Sequence, residues 1–398
     1  MKIGIYGGTF NPPHLGHLEA ARTAVKVLEL DKLILIPAAV PPHKALPEGT
    51  PEGAHRLAMT ERMADALSMP KVAEGSRMEL DREGKSYTAD TLRAIRAQYP
   101  DAQLWLLMGT DMFLTLHLWH DPEVITQLAG ICAFGRTEQD GEELFAPQRE
   151  FLSQKYQAQI VTITLPGLVD VSSTRLRELL ARGEGQEYLL PQVYGYILMN
   201  RLYGTHADLK RLELPELRAC SYSMIRAKRI AHVQGTEEEA ARLARRWGAN
   251  EEYARRAAIL HDCTKYWSLE EHLALCKQYG VALDEMERGA VKLLHSKTGA
   301  ALARYVFGEP EEVCQAICWH TTGKADMTLL EKILYIADYM EPTRAFEGVE
   351  KLRELAYADL DAAVLLGTEM SVEEMQQRGS PIHPNTLAAR DFLKGTGP

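Results

Sequence analysis

The sequence has no excess of positive charge and no long hydrophobic run, and each absence excludes a class of protein. Its 398 residues contain 45 Lys and Arg against 55 Asp and Glu, a formal net charge of -10 at pH 7. It therefore lacks the basic surface that binds a nucleic-acid backbone. Apolar stretches such as Leu33 to Val40 reach about ten residues, whereas a membrane-spanning helix needs about 20. The N-terminal apolar segment is too short for a secretory signal, so we expect a cytoplasmic protein without a membrane partner.

The six cysteines also lack a pattern, since none forms a C-x-x-C pair. In a chain of this length without a signal we expect reduced and mostly buried thiols. The composition, 46% hydrophobic and 25% charged, predicts a folded protein with two or three domains. Residues 1 to 204 hold 20 Lys and Arg against 25 Asp and Glu, and the remainder holds 25 against 30. Each half therefore carries -5, which leaves small nucleotides as possible ligands.

The hydrophobic pattern changes period near residue 204. Before it, short β-rich runs alternate with helical stretches, which predicts an α/β doubly wound parallel sheet of the Rossmann-like type. After residue 215 only helical patterns occur, so the second part is predicted to be all-α. Among the predicted helices are 215–233 and 236–247, which are separated by a break near Gly235, and also 284–292 and 349–367. The strands are expected at Lys2 to Tyr6, Lys32 to Pro37, Gln103 to Met108, Ile131 to Phe134 and Gln159 to Leu165. This change of pattern predicts a first domain at 1–204, a linker at 205–212 and a helical domain at 213–398.

The first candidate site follows the first strand, in the segment Gly7-Gly8-Thr9-Phe10-Asn11-Pro12-Pro13-His14-Leu15-Gly16-His17. Paired glycines allow a sharp turn and a close approach to a ligand, and the helix start that follows favours an anion. His14 and His17 face one side of the first helical turn and suit charge that develops on phosphorus. Alone, an H-x-x-H pair also fits surface or metal-binding histidines.

This segment resembles the T/H-x-G-H nucleotidylyltransferase superfamily, in particular nicotinate-nucleotide adenylyltransferase, and the resemblance extends over residues 1 to about 204. Val171-Ser172-Ser173-Thr174-Arg175-Leu176-Arg177 is similar to the second signature of that family, with Leu176 in place of Ile. The resemblance implies His14 and His17 as catalytic residues and Mg²⁺ carried with ATP. It implies that ATP contacts Gly7, Gly8, Thr9, Phe10, His17, Ser172, Ser173, Thr174 and Arg177.

The same resemblance implies a second substrate, nicotinate mononucleotide, and a homo-oligomer is possible. The residues it places around this substrate are Lys44, Tyr87, Thr88, Asp111, Trp119, His120 and Arg136. Two positions depart from the family pattern: Asn11 stands where many members have Asp, and His120 where Tyr is frequent. The second departure leaves the choice between nicotinate and nicotinamide mononucleotide open. Another adenylyl- or cytidylyltransferase of the same superfamily is the alternative for this half.

The second candidate site is a set of polar residues on apolar helices of the C-terminal half. Its members are histidines and aspartates, each beside apolar neighbours where an unpaired polar group would be costly: His232, His261, Asp262, His295, His320 and Asp338. A shared metal centre would satisfy all six, and imidazole with carboxylate suits iron, manganese or another first-row divalent ion. Two ions bridged by Asp262 would activate a water for attack on a phosphoanhydride. Separate histidines, each satisfied individually, are the alternative.

This set resembles the HD-domain phosphohydrolases, and more narrowly the symmetrical bis(5'-nucleosyl)-tetraphosphatases, over residues 213 to 395. The resemblance implies a di-iron centre that cleaves diadenosine tetraphosphate into two ADP. It makes Asp262 and Lys265 catalytic, and Lys265 and Arg344 cations for the polyphosphate. Another HD-domain nucleotide hydrolase and a nucleotide sensor without turnover remain as alternatives. The sequence thus predicts a bifunctional enzyme that acts on small nucleotides.

Overall fold

A computed structural model describes residues 1–42, 45–67, 73–135, 140–165 and 171–395. The chain forms two compact units, Met1–His206 and Ala207–Pro398. The limits of the linker predicted at 205–212 stay a prediction. None of the six cysteines forms a disulfide, and all but the half-buried Cys318 are buried. In the part of the chain that the structure describes, no helix is both long and apolar enough to cross a membrane.

The first unit is built on a six-stranded sheet in the order β3-β2-β1-β4-β5-β6, and every neighbouring pair is parallel. The strands are β1 (Lys2–Gly8), β2 (Lys32–Pro37), β3 (Ala73–Gly75), β4 (Gln103–Gly109), β5 (Ala129–Phe134) and β6 (Ile160–Ile163). The helices are α1 (Leu15–Leu28), α2 (Gly53–Ala66), α3 (Thr88–Gln98), α4 (Thr110–Leu114), α5 (Pro122–Leu128), α6 (Glu142–Tyr156), α7 (Ser173–Leu180) and α8 (Pro191–Met199). The predicted doubly wound parallel sheet is confirmed.

Successive residues of the central strands alternate between two hydrophobic cores, one on each face of the sheet. In β2, Leu33 and Leu35 lie in one core, whereas Ile34 and Ile36 lie in the other. Strands covered on both faces are near-continuously apolar, which is why the sequence reveals them. The strand order reverses next to β1, and ligands of such sheets bind at the carboxyl ends of the strands at this point. The segment that follows β1 is therefore at the expected position for a site.

Three elements of the first unit were not predicted, and the first of them, α4, has only five residues. β3 has three residues, too few for an alternating pattern. The helix α6 contains Pro147, and its buried residues are Phe145 and Leu152. Two apolar positions seven residues apart do not give the stripe at i, i+3 and i+4 that marks an amphipathic helix. The sequence therefore carries little signal for any of the three elements.

The second unit is helical, as predicted. Its helices are α9 (Leu214–Met224), α10 (Ala227–Trp247), α11 (Glu251–Leu260), α12 (Leu269–Tyr279), α13 (Val291–Tyr305), α14 (Glu311–Trp319), α15 (Leu329–Met340), α16 (Val349–Ala358), α17 (Leu360–Gln377) and α18 (Pro384–Leu393). The predicted single helix over 349–367 is two helices, because Asp359 caps the start of α17 through the N–H of Ala362. A predicted helix over 284–292 is wrong: Asp284 and Glu287 bond each other's backbone in a turn.

The helix α10 differs from the prediction in a way that matters for the site. The sequence pattern predicted a break near Gly235, but α10 continues through it. A Cβ on this glycine would lie 2.5 Å from Oε2 of Glu341. Gly235 is therefore a point of close approach within the helix, and it allows the Glu341 carboxylate to reach the buried face of α10.

Candidate functional sites

The two histidines of the first site hold each other at the start of α1. His14 is the N-cap residue, and its Nδ1 accepts a hydrogen bond from the N–H of Gly16 at 3.2 Å. Nδ1 of His17 accepts one from the N–H of His14 at 3.3 Å, and the two ring centroids are 3.9 Å apart. A neutral imidazole that accepts at Nδ1 carries its proton on Nε2. Both rings therefore present Nε2 as a donor, the form suited to a phosphate oxygen.

The second signature lies against the first through Arg177. This side chain donates from Nη1 to the carbonyl of Asn11 at 2.9 Å and from Nη2 to Oγ1 of Thr174 at 3.2 Å. Ser172 caps α7, where its hydroxyl accepts from the N–H of Arg175, and Ser173 is the first residue of that helix. The structure thus brings the two predicted ATP-binding segments together, although Asn11 and Arg177 are 166 residues apart in the sequence.

The residues predicted for the mononucleotide are only partly brought together. The rings of Tyr87 and His120 lie 4.4 Å apart, and Thr88 begins α3 next to them. Trp119 packs against the core of the sheet, and Asp111 lies in the short helix α4. Lys44 and Arg136 lie outside the described residues. The roles of all these residues stay predictions.

In the second unit, the six predicted ligands converge from five helices or their ends. His232 lies on α10, His261 and Asp262 follow α11, His295 lies on α13, His320 follows α14 and Asp338 lies on α15. Nε2 of His232 is 3.2 Å from Nε2 of His261 and 3.0 Å from Oδ1 of Asp338. Nε2 of His295 is 3.0 Å from Nε2 of His320. The ring nitrogens therefore form two facing pairs.

The other ring nitrogen of each histidine has a fixed partner. Nδ1 of His261, His295 and His320 lies 2.6 to 2.7 Å from the carbonyl three residues earlier. This contact places the proton on Nδ1 and leaves a lone pair on Nε2. Burial lowers the pKa of these three imidazoles to about 4, so the rings are neutral near pH 7. Two facing lone pairs repel each other unless a cation lies between them.

Asp262 lies between the two histidine pairs. Its Oδ2 is 3.6 Å from Nε2 of His261, and its Oδ1 is 3.2 Å from Nε2 of His295. Desolvation opposes ionisation, but the neighbouring imidazoles and the ammonium of Lys265 hold the pKa of this carboxyl well below its usual range. Oδ1 is buried and has no hydrogen-bond partner. A buried carboxylate oxygen that accepts no hydrogen bond and faces two imidazole lone pairs fits a bound cation, even with the ammonium of Lys265 3.4 Å away.

The geometry therefore defines two overlapping ligand groups that share Asp262. The first combines it with His232 and His261, and the second with His295 and His320; within each group the ligand atoms lie within 4.8 Å of one another. Asp338 joins a third group with His261 and His320. This donor set, imidazole with carboxylate, suits first-row divalent metals.

The two predicted polyphosphate cations lie at the edge of this centre. Nζ of Lys265 is 3.2 Å from Nε2 of His295 and 3.4 Å from Oδ1 of Asp262. Nη2 of Arg344 donates to Oδ1 of Asp338 at 2.7 Å. Both cations are partly exposed, so each could turn towards a ligand.

Sequence reasoning missed two residues of the second site. Arg229 donates from Nε to Oδ2 of Asp262 at 2.6 Å. Glu341, fully buried, lies 2.9 Å from Nδ1 of His232 through its Oε1. The spacing could have indicated Arg229, because it precedes His232 by about one turn of the same helix and so lies on the same face. Glu341 lies 109 residues from its partner, and no local pattern could reveal that pair.

Comparison with known proteins gives each unit a relative. A family model described as cytidylyltransferase-like matches residues 5–179, and an HD-domain model matches residues 229–343. A protein of Lachnoclostridium phytofermentans named "Probable nicotinate-nucleotide adenylyltransferase" is 37% identical over 203 residues, 51% of this chain and 98% of that protein. A protein of the same name from Halalkalibacterium halodurans is 36% identical over 52% of this chain and 94% of its own length.

The second unit has its own relative in that organism. The Halalkalibacterium halodurans protein named "Bis(5'-nucleosyl)-tetraphosphatase, symmetrical" is 40% identical over 166 residues, 42% of this chain and 88% of that protein. The chain thus joins a Rossmann-like nucleotidyltransferase domain to an HD-type hydrolase domain. Its N-terminal half belongs to the nicotinate-nucleotide adenylyltransferase family, and its C-terminal half to the symmetrical bis(5'-nucleosyl)-tetraphosphatase family.

The contact between Glu341 and His232 generates a prediction. Glu341→Gln keeps the size of the side chain but removes the charge that makes the imidazole a stronger ligand. We expect metal affinity of the second unit to fall about tenfold or more, the usual cost of losing such a partner. The measurement is competition for Mn²⁺ or Fe²⁺ against a chelating dye. The control is Glu350→Gln, which changes an exposed glutamate paired with Arg353. Equal metal affinities of the two variants would contradict the role of Glu341 as a partner of the ligand His232.

Proposed function

We propose that the chain is a bifunctional enzyme with one activity in each unit. The first unit transfers AMP from ATP to nicotinate mononucleotide, and the second hydrolyses diadenosine tetraphosphate symmetrically. One observation carries this proposal: each unit accounts for nearly the whole length of a relative with that name and assembles a self-contained polar site. A link between NAD synthesis and removal of dinucleoside polyphosphates follows as a hypothesis.

In the first unit, a phosphate oxygen of the mononucleotide attacks the α-phosphorus of ATP, and the bond to the leaving pyrophosphate breaks. The products are deamido-NAD and pyrophosphate. The Nε2–H groups of His14 and His17 stabilise the negative charge that develops on the phosphate oxygens. Arg177, which contacts both signatures, neutralises the polyphosphate that leaves. Mg²⁺ enters with ATP and balances its triphosphate.

The paired rings of Tyr87 and His120 support an aromatic acceptor in the first unit. At 4.4 Å between centroids they form a platform beside the start of α3, and a pyridine ring can stack on such a platform. The N-terminus of α3 favours an anion, which suits the carboxylate of nicotinate over the amide of nicotinamide. Lys44 and Arg136 complete the proposed set for this substrate.

In the second unit, a water molecule attacks the central phosphoanhydride of diadenosine tetraphosphate, and two ADP molecules leave. Divalent ions, for which we propose iron, would supply an activated water and neutralise the phosphate oxygens. The residues that would hold them are His232, His261, Asp262, His295, His320 and Asp338. Lys265 and Arg344 bind the remaining phosphates, and Arg229 holds the Asp262 carboxylate in place.

Substitution of one residue in each unit separates the two activities. His17→Ala removes a donor from the developing charge, so pyrophosphate release should fall by about two orders of magnitude or more while hydrolysis is retained. Asp262→Ala removes the residue shared by two ligand groups, so bound metal and hydrolysis should be lost while adenylyl transfer is retained. Both activities are measured on the full chain, by a coupled pyrophosphate assay and by chromatography of ADP.

The outcomes of these substitutions discriminate between the proposals. Loss of both activities in either variant would indicate one composite site and would refute the two-site proposal. Metal-loaded wild type that binds diadenosine tetraphosphate but releases no ADP over hours would make the second unit a sensor. Asp284→Ala, which removes an exposed carboxylate bonded to His383, is the matched control and should leave both activities unchanged.

Metal removal gives a further prediction. Treatment of the full chain with a strong chelator should abolish hydrolysis, because the metal that would activate the attacking water is then absent. Mg²⁺ alone should restore adenylyl transfer, since it acts there with ATP, but not hydrolysis, for which Fe²⁺ or Mn²⁺ is required. Metal analysis of anaerobically purified protein identifies the resident ion. Hydrolysis that survives complete removal of metal would contradict the proposed centre.

A further inference from the structure

A buried arginine lies beneath the nucleotide loop of the first unit. Arg56, on α2, is 2% exposed. Its Nη1 donates to the carbonyls of Thr9 at 3.0 Å and Ala38 at 2.7 Å, and its Nε donates to the carbonyl of Pro51 at 3.3 Å. Thr9 follows β1 and Ala38 follows β2, so one guanidinium ties together the ends of two neighbouring strands at the edge of the sheet where the site lies.

The charge of Arg56 has no anionic partner within the described part of the first unit. No carboxylate there lies within 4.0 Å of its guanidinium, and its three recorded acceptors are neutral carbonyls. Burial lowers the pKa of this side chain, but arginine remains charged in proteins. A buried cation held only by carbonyl dipoles is costly, and its field extends towards whatever anion the adjoining loop binds.

The contacts also fix the orientation of the loop. A peptide unit points its carbonyl and its N–H in opposite directions, so the Thr9 carbonyl that faces Arg56 directs the N–H of Phe10 away from it. Arg177 donates to the carbonyl of Asn11, the residue that follows Phe10. Phe10 itself has a left-handed backbone, with φ of 43°, which a bulky residue adopts only when its surroundings impose it.

We propose that Arg56 is a positioning residue of the ATP site. It fixes the loop with the Phe10 N–H directed at the nucleotide phosphates, and its buried charge favours the polyphosphate over water in that loop. This inference rests on the proposed adenylyltransferase function. Arg56 strengthens the binding of ATP and not that of the mononucleotide. The proposed binding platform of the mononucleotide, at Tyr87 and His120, does not contact Arg56.

The test compares Arg56→Met and Arg56→Lys in the full chain. For Arg56→Met we expect KM for ATP and the dissociation constant of MgATP to rise about tenfold or more, which corresponds to about 1.4 kcal/mol, with KM for nicotinate mononucleotide within about twofold of wild type. Arg56→Lys keeps the charge but cannot reach three carbonyls, so it should restore only part of the ATP affinity. Thermal unfolding of both variants shows whether they remain folded at the assay temperature.

Arg62→Met is the matched control on the same helix. The Arg62 guanidinium lies over the ring of Tyr196 at 4.2 Å and donates to the carbonyl of Ala58, so ATP binding should not change. Equal rises in both KM values, unchanged ATP affinity in Arg56→Met, or the same effect in Arg62→Met would overturn the inference. If Arg56→Met does not fold, the loss in Arg56→Lys decides in its place.

Failure of the proposed function is read separately. Wild type that binds MgATP but does not adenylylate nicotinate mononucleotide would refute the function proposed for this unit. The equilibrium affinity for MgATP, measured in an Asp262→Asn background that removes the second site, still tests Arg56 in that case. An unchanged affinity in Arg56→Met would then overturn the positioning role by itself.

Discussion

Charge buried beside the phosphate-binding groups is the constraint on which both sites depend. Each half of the chain carries a net charge of -5, so long-range attraction does not bring polyanions to either site. Recognition must come from local charge held in place before the ligand arrives. Arg56 supplies it in the first unit, and the ligand set around Asp262 creates the need for cations in the second. Such preorganised groups act strongly because little water surrounds them.

Helix ends solve part of this problem in the second unit. The last carbonyls of an α-helix have no partner within the helix, and His261 and His320 each follow the last residue of one. Their Nδ1 atoms use those carbonyls, at Ala258 and Ile317. One contact thus satisfies a backbone acceptor and fixes the tautomer that leaves Nε2 for a metal. Backbone carbonyls at the helix ends therefore orient these two imidazoles.

The sequence predicted what is local and repeated, and it missed what depends on distant contacts. The apolar strands and the histidine and aspartate set could be read because each follows from a periodic pattern or a short motif. Gly235 illustrates the limit: in the sequence it predicts a helix break, whereas the fold uses it to admit Glu341. Arg56 was missed for the same reason, since its acceptors Thr9 and Ala38 belong to other elements. No periodicity distinguishes it from an ordinary helix arginine.

The contacts that build each site stay within its own unit. Every recorded partner of the metal ligands lies between Arg229 and Arg344, and the contacts of the nucleotide loop run from Tyr6 to Arg177. In Halalkalibacterium halodurans a relative of each half is a separate protein. Covalent linkage in this chain keeps the two sites at a fixed ratio and raises the local concentration of one around the other.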